Sequence, residues 1–171
     1  MEVSARHAVA VPFDQVTSLL ARPDALLHLL HAYASEFPEA GDISASIEHG
    51  GDATFRYDNE DGDATEVREL YRGIVSEAAE IVVLSRGRRS FGEFEALIHV
   101  VAWRDGTGTA YRVEVKAYPE HALLRFVARD LGFGQRFFRS KTREVCRLAE
   151  RVVPAAARAA AGHVALAIEP R

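Results

Sequence analysis

Apolar and polar residues alternate with a period of two along most of the first 118 residues. Residues 3–11 place three valines and His7 on one face, which predicts a first strand. Pro12 ends this strand, and apolar residues at helical spacing after Pro12 and again after Pro23 predict two short helices. The chain is therefore expected to begin with one strand and two helices.

Strand patterns follow one another between residues 43 and 118. The alternation is clearest over residues 109–118, where apolar residues share one face and charged residues the other, as in an antiparallel sheet with one solvated face. Turn sequences such as Gly50-Gly51-Asp52 separate the segments. The six strands predicted in this region cover residues 43–48, 53–58, 65–75, 80–86, 91–103 and 109–118.

The apolar period changes to three and four after residue 119. This predicts a long amphipathic helix over roughly residues 120–153, weakened at Gly132 and Gly134 and ended by Pro154. We therefore expect one domain over residues 1–153. The Ala-rich tail, residues 154–171, is expected to be a frayed helix or a disordered segment.

The order of elements predicts an α+β fold. Seven hairpin-connected strands are expected to form a curved antiparallel sheet wrapped around the long C-terminal helix, with the two short helices after the first strand. A helix with its side chains is only about 10 Å across, so it cannot fill such a sheet alone. We therefore expect a cavity between the helix and the sheet, and concave apolar sites of this kind bind small molecules.

The segment from Val9 to Pro23, with the sequence VAVPFDQVTSLLARP, resembles the start of proteins in the START-like superfamily. This superfamily is also known as the helix-grip or polyketide cyclase/dehydratase and lipid-transport superfamily. The resemblance extends to the order of elements over residues 1–153, and the chain departs from it at Thr17, where many members carry Trp. It implies a helix-grip fold with a ligand cavity under the last helix, and it implies no single activity.

Composition narrows the class of protein. The 171 residues are 48% hydrophobic and 27% charged, which is typical of one globular domain with a sizeable core. Cys146 is the single cysteine, which excludes a disulfide framework. No apolar run is long enough to span a membrane, and the first residues do not form a signal peptide, so we expect a cytoplasmic protein.

Charge is distributed unevenly along the chain. Residues 35–80 contain 13 acidic and 3 basic residues, whereas residues 120–171 contain 10 basic and 5 acidic residues. The arginines near the C-terminus alternate with acids at helical spacing, which is typical of a solvated helix face. An acyl-carrier protein or another acidic protein could also dock there. The chain lacks the overall basic face and the base-reading motif of a nucleic-acid-binding protein.

Several residues on apolar strand faces could contact a ligand or transfer a proton. His7 and the tyrosines at 57, 71 and 111 suit either a packed core or a cavity wall. Glu69 follows Val67 and precedes Tyr71 on one predicted face, and it lies either at an edge or paired in the cavity, where it could act as a base. The catalytic candidates are His7, Glu69 and Tyr71.

The predicted ligand contacts are aromatic and apolar residues of the strands, together with phenylalanines near the start of the last helix. Packing within the core is the alternative for each of them. The predicted set is His7, Phe55, Tyr57, Tyr71, Phe94, Ile98, Tyr111, Phe126, Phe133 and Phe137.

Metal and cofactor sites are not predicted. Glu95 and His99 share a strand face, but residues four apart on a strand lie about 13 Å apart and cannot hold one ion. His28 and His31 lack an evident third ligand. The chain contains no phosphate-binding glycine loop and no nucleophile elbow, so no cofactor is expected.

Three functional hypotheses remain from the sequence. The first is a protein that carries, senses or sequesters a hydrophobic or aromatic small molecule under the last helix. The second is an aromatase/cyclase-type enzyme acting on a polyketide-like chain by general acid–base catalysis. The third is an interaction module with a filled core, which Trp103 and His99 on an apolar outer patch would favour. The oligomeric state stays open, a homodimer included.

Overall fold

The structure, a computed structural model, describes residues 2–22, 24–36, 43–47, 53–58, 64–75, 77–89, 92–119 and 133–166. Its strands are β1 (Glu2–Val9), β2 (Ile43–Ile47), β3 (Ala53–Asp58), β4 (Ala64–Val75), β5 (Ala78–Arg89), β6 (Gly92–Asp105) and β7 (Gly108–Pro119). Its helices are α1 (Phe13–Leu20) and α2 (Ala25–Glu36), both between β1 and β2, and α3 (Phe133–Leu166) at the C-terminal end.

The strands form one antiparallel sheet in the order β1-β7-β6-β5-β4-β3-β2. The strands from β2 to β7 lie in sequence order, and β1 pairs with β7 at the opposite edge from β2. The predicted α+β class, the antiparallel sheet and the C-terminal helix are confirmed. The arrangement is broadly compatible with the helix-grip fold.

The strand register defines two faces of the sheet. Ala5, Val113, Val100 and Ile81 form one row across β1, β7, β6 and β5, and all four belong to the core that includes residues of α1 and α3. We call this the inner face. The alternate residues, such as His99 on β6, form the outer face.

The core is densest at the β1–β7 edge. Inner-face residues of these two strands pack with Phe13, Val16 and Leu20 of α1 and with Cys146 of α3. The buried inner-face residues here are Val3, Val9, Tyr111, Val113, Val115 and Ala117.

The last helix does not end at Pro154, so that prediction is wrong. Pro154 lies inside α3, and the residues beyond it, Ala156, Ala157 and Ala160, are buried. A proline inside a helix costs about 3 kcal/mol. The buried alanines pack with core residues that include Leu19 of α1 and Ala32 of α2, whereas Arg158 and Ala159 are exposed, so the segment beyond Pro154 contributes one of its faces to the core. Residues 120–132, predicted as the start of the helix, lie outside the described residues.

Removing the segment beyond Val153 tests this packing. Deletion of residues 154–171 should lower the midpoint of thermal unfolding by about 10 °C or more, because it removes buried apolar contacts with α1 and α2. Deletion of residues 167–171 alone is the control and should change the midpoint by less than about 2 °C. Equal midpoints for the two truncated proteins, measured by circular dichroism, would contradict the packing described.

Candidate functional site

Apolar residues in the middle of the inner faces of β5 and β6 remain partly exposed although both strands lie inside the sheet, whereas Ala79, Ala96 and Ala102 on the same faces are buried. Ile81 and Val83 on β5 and Ile98 and Val100 on β6 are intermediate between buried and exposed. Val113, on the same face of β7, is only 2% exposed. The difference follows from the position of α3, which packs mainly against β1 at one edge. An apolar surface of β5 and β6 is therefore left accessible beside the helix.

A buried carboxylate lies next to this surface. Glu69 on β4 pairs in register with Val83 and is 8% exposed. Its Oε1 lies 3.3 Å from Nε of Arg72, whose side chain is also largely buried. Its Oε2 is buried and has no hydrogen-bond partner. A buried charge is tolerated only when it is paired, so Arg72 is what permits a carboxylate here.

A β-bulge brings Glu69 and Arg72 to the same face. Residues three apart on a regular strand point to opposite faces. In β4, Glu69 pairs with Val83 and Tyr71 with Val82, so one extra residue, Leu70, stands between two consecutive partners. Sequence reasoning missed Arg72. The two consecutive apolar residues at 70 and 71, which break the alternation, are the signal that could have revealed the bulge.

Arg72 also connects the sheet to the helices. Its Nη1 donates a hydrogen bond of 2.5 Å to the carbonyl oxygen of Arg22, which lies between α1 and α2. The guanidinium thus holds the Glu69 carboxylate on one side and the connection between the helices on the other. This contact fixes the end of α1 over the β4 end of the inner face.

The bulge places Tyr71 on the outer face, so the prediction that it shares a face with Val67 and Glu69 is wrong. Tyr71 is 52% exposed and pairs in register with Val82. Its ring lies over Gly73, where a Cβ would overlap the tyrosine hydroxyl. Tyr71 is therefore removed from the inner face, where it was a candidate for catalysis and for ligand contact.

His7 and Tyr111 face α3 as a pair across β1 and β7. The Nδ1 atom of His7 lies 3.2 Å from Oε1 of Glu150, and the Tyr111 hydroxyl donates a 2.8 Å hydrogen bond to the carbonyl oxygen of Cys146. Burial is the main cause that raises the pKa of Tyr111 and that of the Cys146 thiol. Both groups therefore stay neutral at pH 7, and the Tyr111 hydroxyl anchors the helix.

The titratable candidates do not converge. His7 is on β1 and Glu69 is on β4, with β7, β6 and β5 between them. Four strand spacings correspond to about 19 Å along the sheet. A general acid and a general base must both reach the reacting atoms. The described residues of the inner face therefore form no acid–base pair from these two groups.

The remaining predicted contacts are placed in part. Phe94 and Ile98 lie on the inner face of β6, partly buried against the core. The register puts Phe55 and Tyr57 of β3 opposite Val67 and residue 65 of β4, and the side chains of the two aromatic residues lie outside the described part of the chain. The side chains of Phe133 and Phe137, at the start of α3, also lie outside the described part of the chain. All of Phe126 lies outside it.

A separate cleft of about 450 Å³ lies between α2 and α3. Asp24 at its rim accepts a 3.0 Å hydrogen bond from Nε of Arg22, which lowers the pKa of the carboxyl group. The same carboxylate lies 3.3 Å from Nε2 of His28. The residues that line the cleft are Asp24, His28, His31, Ala32, Ser35, Ala155 and Ala159. Among the described residues, no three potential metal ligands lie close enough to hold an ion.

The solvent-facing side of α3 is basic, as the sequence predicts. Arg139, Arg143, Arg147 and Arg151 recur every four residues and are all exposed. Arg151 pairs with Glu36 of α2 at 3.0 Å. Docking of an acidic protein on this stripe stays a prediction. None of the described helices has the length and hydropathy of a membrane span.

Comparison with known proteins identifies the fold but no family. No protein-family model and no curated protein sequence matches the chain. A hypothetical protein of Helicobacter pylori is similar in structure, with a TM-score of 0.55 and 7% identity over 94% of this chain and 88% of that one. A conserved protein of Geobacillus kaustophilus gives a TM-score of 0.54 with 13% identity, over 95% of this chain and 96% of its own. A protein of Mycobacterium smegmatis gives 0.51 with 14% identity, over 90% and 91% of the two chains. These similarities show the fold alone.

Substituting Arg72 tests the role of the buried ion pair. Arg72→Met should lower the free energy of unfolding by about 3 kcal/mol, because it leaves the Glu69 carboxylate buried without a counter-ion. The double variant E69M/R72M is the control, and it should be more stable than Arg72→Met, because both variants lose the hydrogen bond to Arg22 and only the single variant keeps an unpaired buried carboxylate. Urea unfolding at pH 7 measures both. A single variant that is as stable as the double variant would contradict the pairing.

The Tyr111 hydroxyl gives a second test. Tyr111→Phe should lower the free energy of unfolding by about 1 kcal/mol, since it removes one buried hydrogen bond to α3. The exposed Tyr118 offers a matched control, and Tyr118→Phe should leave stability unchanged within error in the same urea titration. Equal effects of the two substitutions would show that the Tyr111 hydroxyl does not anchor the helix.

Proposed function

We propose that this protein binds a hydrophobic or aromatic small molecule between the inner face of the sheet and α3. One observation carries the proposal. Apolar residues in the middle of the inner faces of β5 and β6 are partly exposed, in the interior of a sheet whose neighbouring β7 is fully packed. An apolar surface of this kind gains free energy when a ligand covers it.

The strength of the interaction follows from the area. Covering about 300 Å² of apolar surface would contribute about 7 kcal/mol before the cost of association is subtracted. Apolar burial is non-directional and does not fix the orientation of a ligand. The Glu69–Arg72 pair, at the β4 end of the surface, is the polar feature that could orient a ligand beside Val83.

The sequence resemblance supports the same function. The START-like pattern from Val9 to Pro23 implies a helix-grip protein with its ligand under the last helix, and the order of strands and helices is broadly compatible with such a fold. The role of a carrier, a sensor or a sequestering protein is consistent with this site. An aromatase/cyclase-type reaction is the alternative, and it would require an acid and a base that converge on the substrate, whereas His7 and Glu69 lie on strands separated by three others.

A pair of adjacent substitutions on β5 tests the proposal. Val83 faces inward and Val82 outward, and both are partly exposed. Wild-type protein should increase the fluorescence of Nile red and shift it to the blue, in a saturable titration. Val83→Trp should weaken Nile red binding at least about tenfold, because the indole fills the proposed space, whereas Val82→Trp should bind the dye as the original protein does.

Native mass spectrometry identifies the natural ligand class. The purified protein should carry a small molecule that is released on unfolding and is absent from Val83→Trp but present in Val82→Trp. Two results together would overturn the proposal: no saturable Nile red binding and no bound mass. Equal loss of dye binding in the two tryptophan variants would show that the dye does not bind on the inner face.

A further inference from the structure

The outer face of the sheet carries several apolar residues around His99. We call six residues on this face the outer patch: Tyr71, Val75, Val82, Leu84, Leu97 and Val101. Tyr71 and Val75 are 52% and 59% exposed. The solvated face of an antiparallel sheet is ordinarily polar, whereas β5 is apolar on both faces from Ile81 to Leu84. Neither of the two core clusters of the described residues contains a residue of the outer patch.

The aromatic and ionisable residues of the outer face contact one another. Trp103, on the outer face of β6, is covered by the guanidinium of Arg6 at 4.8 Å. His99 lies at the centre, 3.6 Å from a carboxylate oxygen of Glu80 and 3.8 Å from one of Glu114.

Charged residues on β5 and β7 can pair with those of a second copy across a two-fold axis at the level of Val83. On β6 this axis sets Leu97 opposite His99 and Val101 opposite Glu95. The outer residues of β5 are, in order, Glu80, Val82, Leu84 and Arg86, with an acid at one end and a base at the other. The two-fold axis lies between the two copies, runs perpendicular to the strands and is level with Val83. This axis exchanges the two ends of β5. It places Glu80 of one copy opposite Arg86 of the other, and Val82 opposite Leu84.

The same axis gives a second complementary pair on β7. Glu114 lies level with Val82 and Lys116 level with Leu84, according to the register through β6. Rotation about the axis therefore places Glu114 of each copy opposite Lys116 of the other. Arg86 already pairs with Glu95 at 2.8 Å, and its side chain is 60% exposed. A guanidinium has five N–H donors, so Arg86 can donate hydrogen bonds to a second carboxylate as well.

We propose that two copies of this chain pack against each other through their outer faces in a symmetric dimer. The five strands from β4 to β1 span about 24 Å, and about 30 Å of each strand is available, which gives about 700 Å² per copy. A standard interface buries about 800 Å² per partner. Two sheets pack face to face with their strands within about 30° of each other, so pairs near the axis stay within reach of long side chains.

Charge reversal tests the dimer. The original protein, examined by sedimentation velocity up to 200 μM, should show a species of about twice the 18.8 kDa mass of one chain. Glu80→Arg or Arg86→Glu should each weaken dimerisation at least about tenfold, because each creates two like-charge contacts across the axis. The double variant E80R/R86E should restore the dimer, since it exchanges the two charges.

Rescue by the double variant is diagnostic of contact between copies. Glu80 and Arg86 lie six residues apart on one strand, about 20 Å, so they cannot pair within one chain. Glu77→Arg, an equal charge change at an exposed position before β5, is the control and should leave the dimer intact. If Glu80→Arg does not fold, as judged by circular dichroism, the exposed Arg86→Glu gives the same test.

Three outcomes would overturn the proposal. The first is a protein that stays monomeric at every concentration. The second is a dimer that both single reversals leave unchanged, which would assign the contact to another surface or another occupant. The third is a double variant that remains monomeric although both single variants and the double variant are folded. Val82 lies in the outer patch, so the Nile red titrations are compared at a protein concentration at which sedimentation velocity shows the same oligomeric state for the original protein and Val82→Trp, which keeps the tests of the dimer and of the ligand site separate.

Discussion

The packing of α3 against the β1–β7 edge governs the rest of the structure. Cys146 is fully buried there, and the hydroxyl of Tyr111 is hydrogen-bonded to its backbone carbonyl. A helix can cover only about 10 Å of sheet, or two strands. Because α3 is held at the edge, β5 and β6 must lie beside it with their apolar inner residues partly uncovered. The candidate ligand surface is thus a consequence of where the helix is anchored.

The general fold could be predicted because the apolar period is a local property. The two helices after β1, the series of strands and the C-terminal helix were all visible as runs with a period of two or of three to four. What could not be predicted depends on packing between distant segments. Pro154 would end an isolated helix, and it is tolerated because Ala156, Ala157 and Ala160 are buried against other elements. The candidate site was predicted in part, since Glu69 lies inside and Tyr71 does not. The single extra residue at position 70 changes which face the rest of β4 presents.

Strand β5 contributes to both proposed surfaces, and the two proposals together would account for its composition. Val83 and Ile81 face inward beside Glu69, and Val82 and Leu84 face outward. A strand covered on both sides has no need of alternation, so its sequence is continuously apolar. The same four residues were therefore uninformative about secondary structure at the sequence level. Their lack of periodicity becomes informative once the neighbours of the strand are known.

Pro154 lies inside α3, and a proline donates no hydrogen bond to the preceding turn, so the backbone of the helix is weakest at this point. Core contacts of α3 are made on both sides of the proline. Cys146 before it and Ala157 after it pack in the core with the sheet, and Val152 before it and Ala156 after it pack with the small helices. Packing that crosses Pro154 on two surfaces therefore compensates for the hydrogen bond that the backbone lacks there.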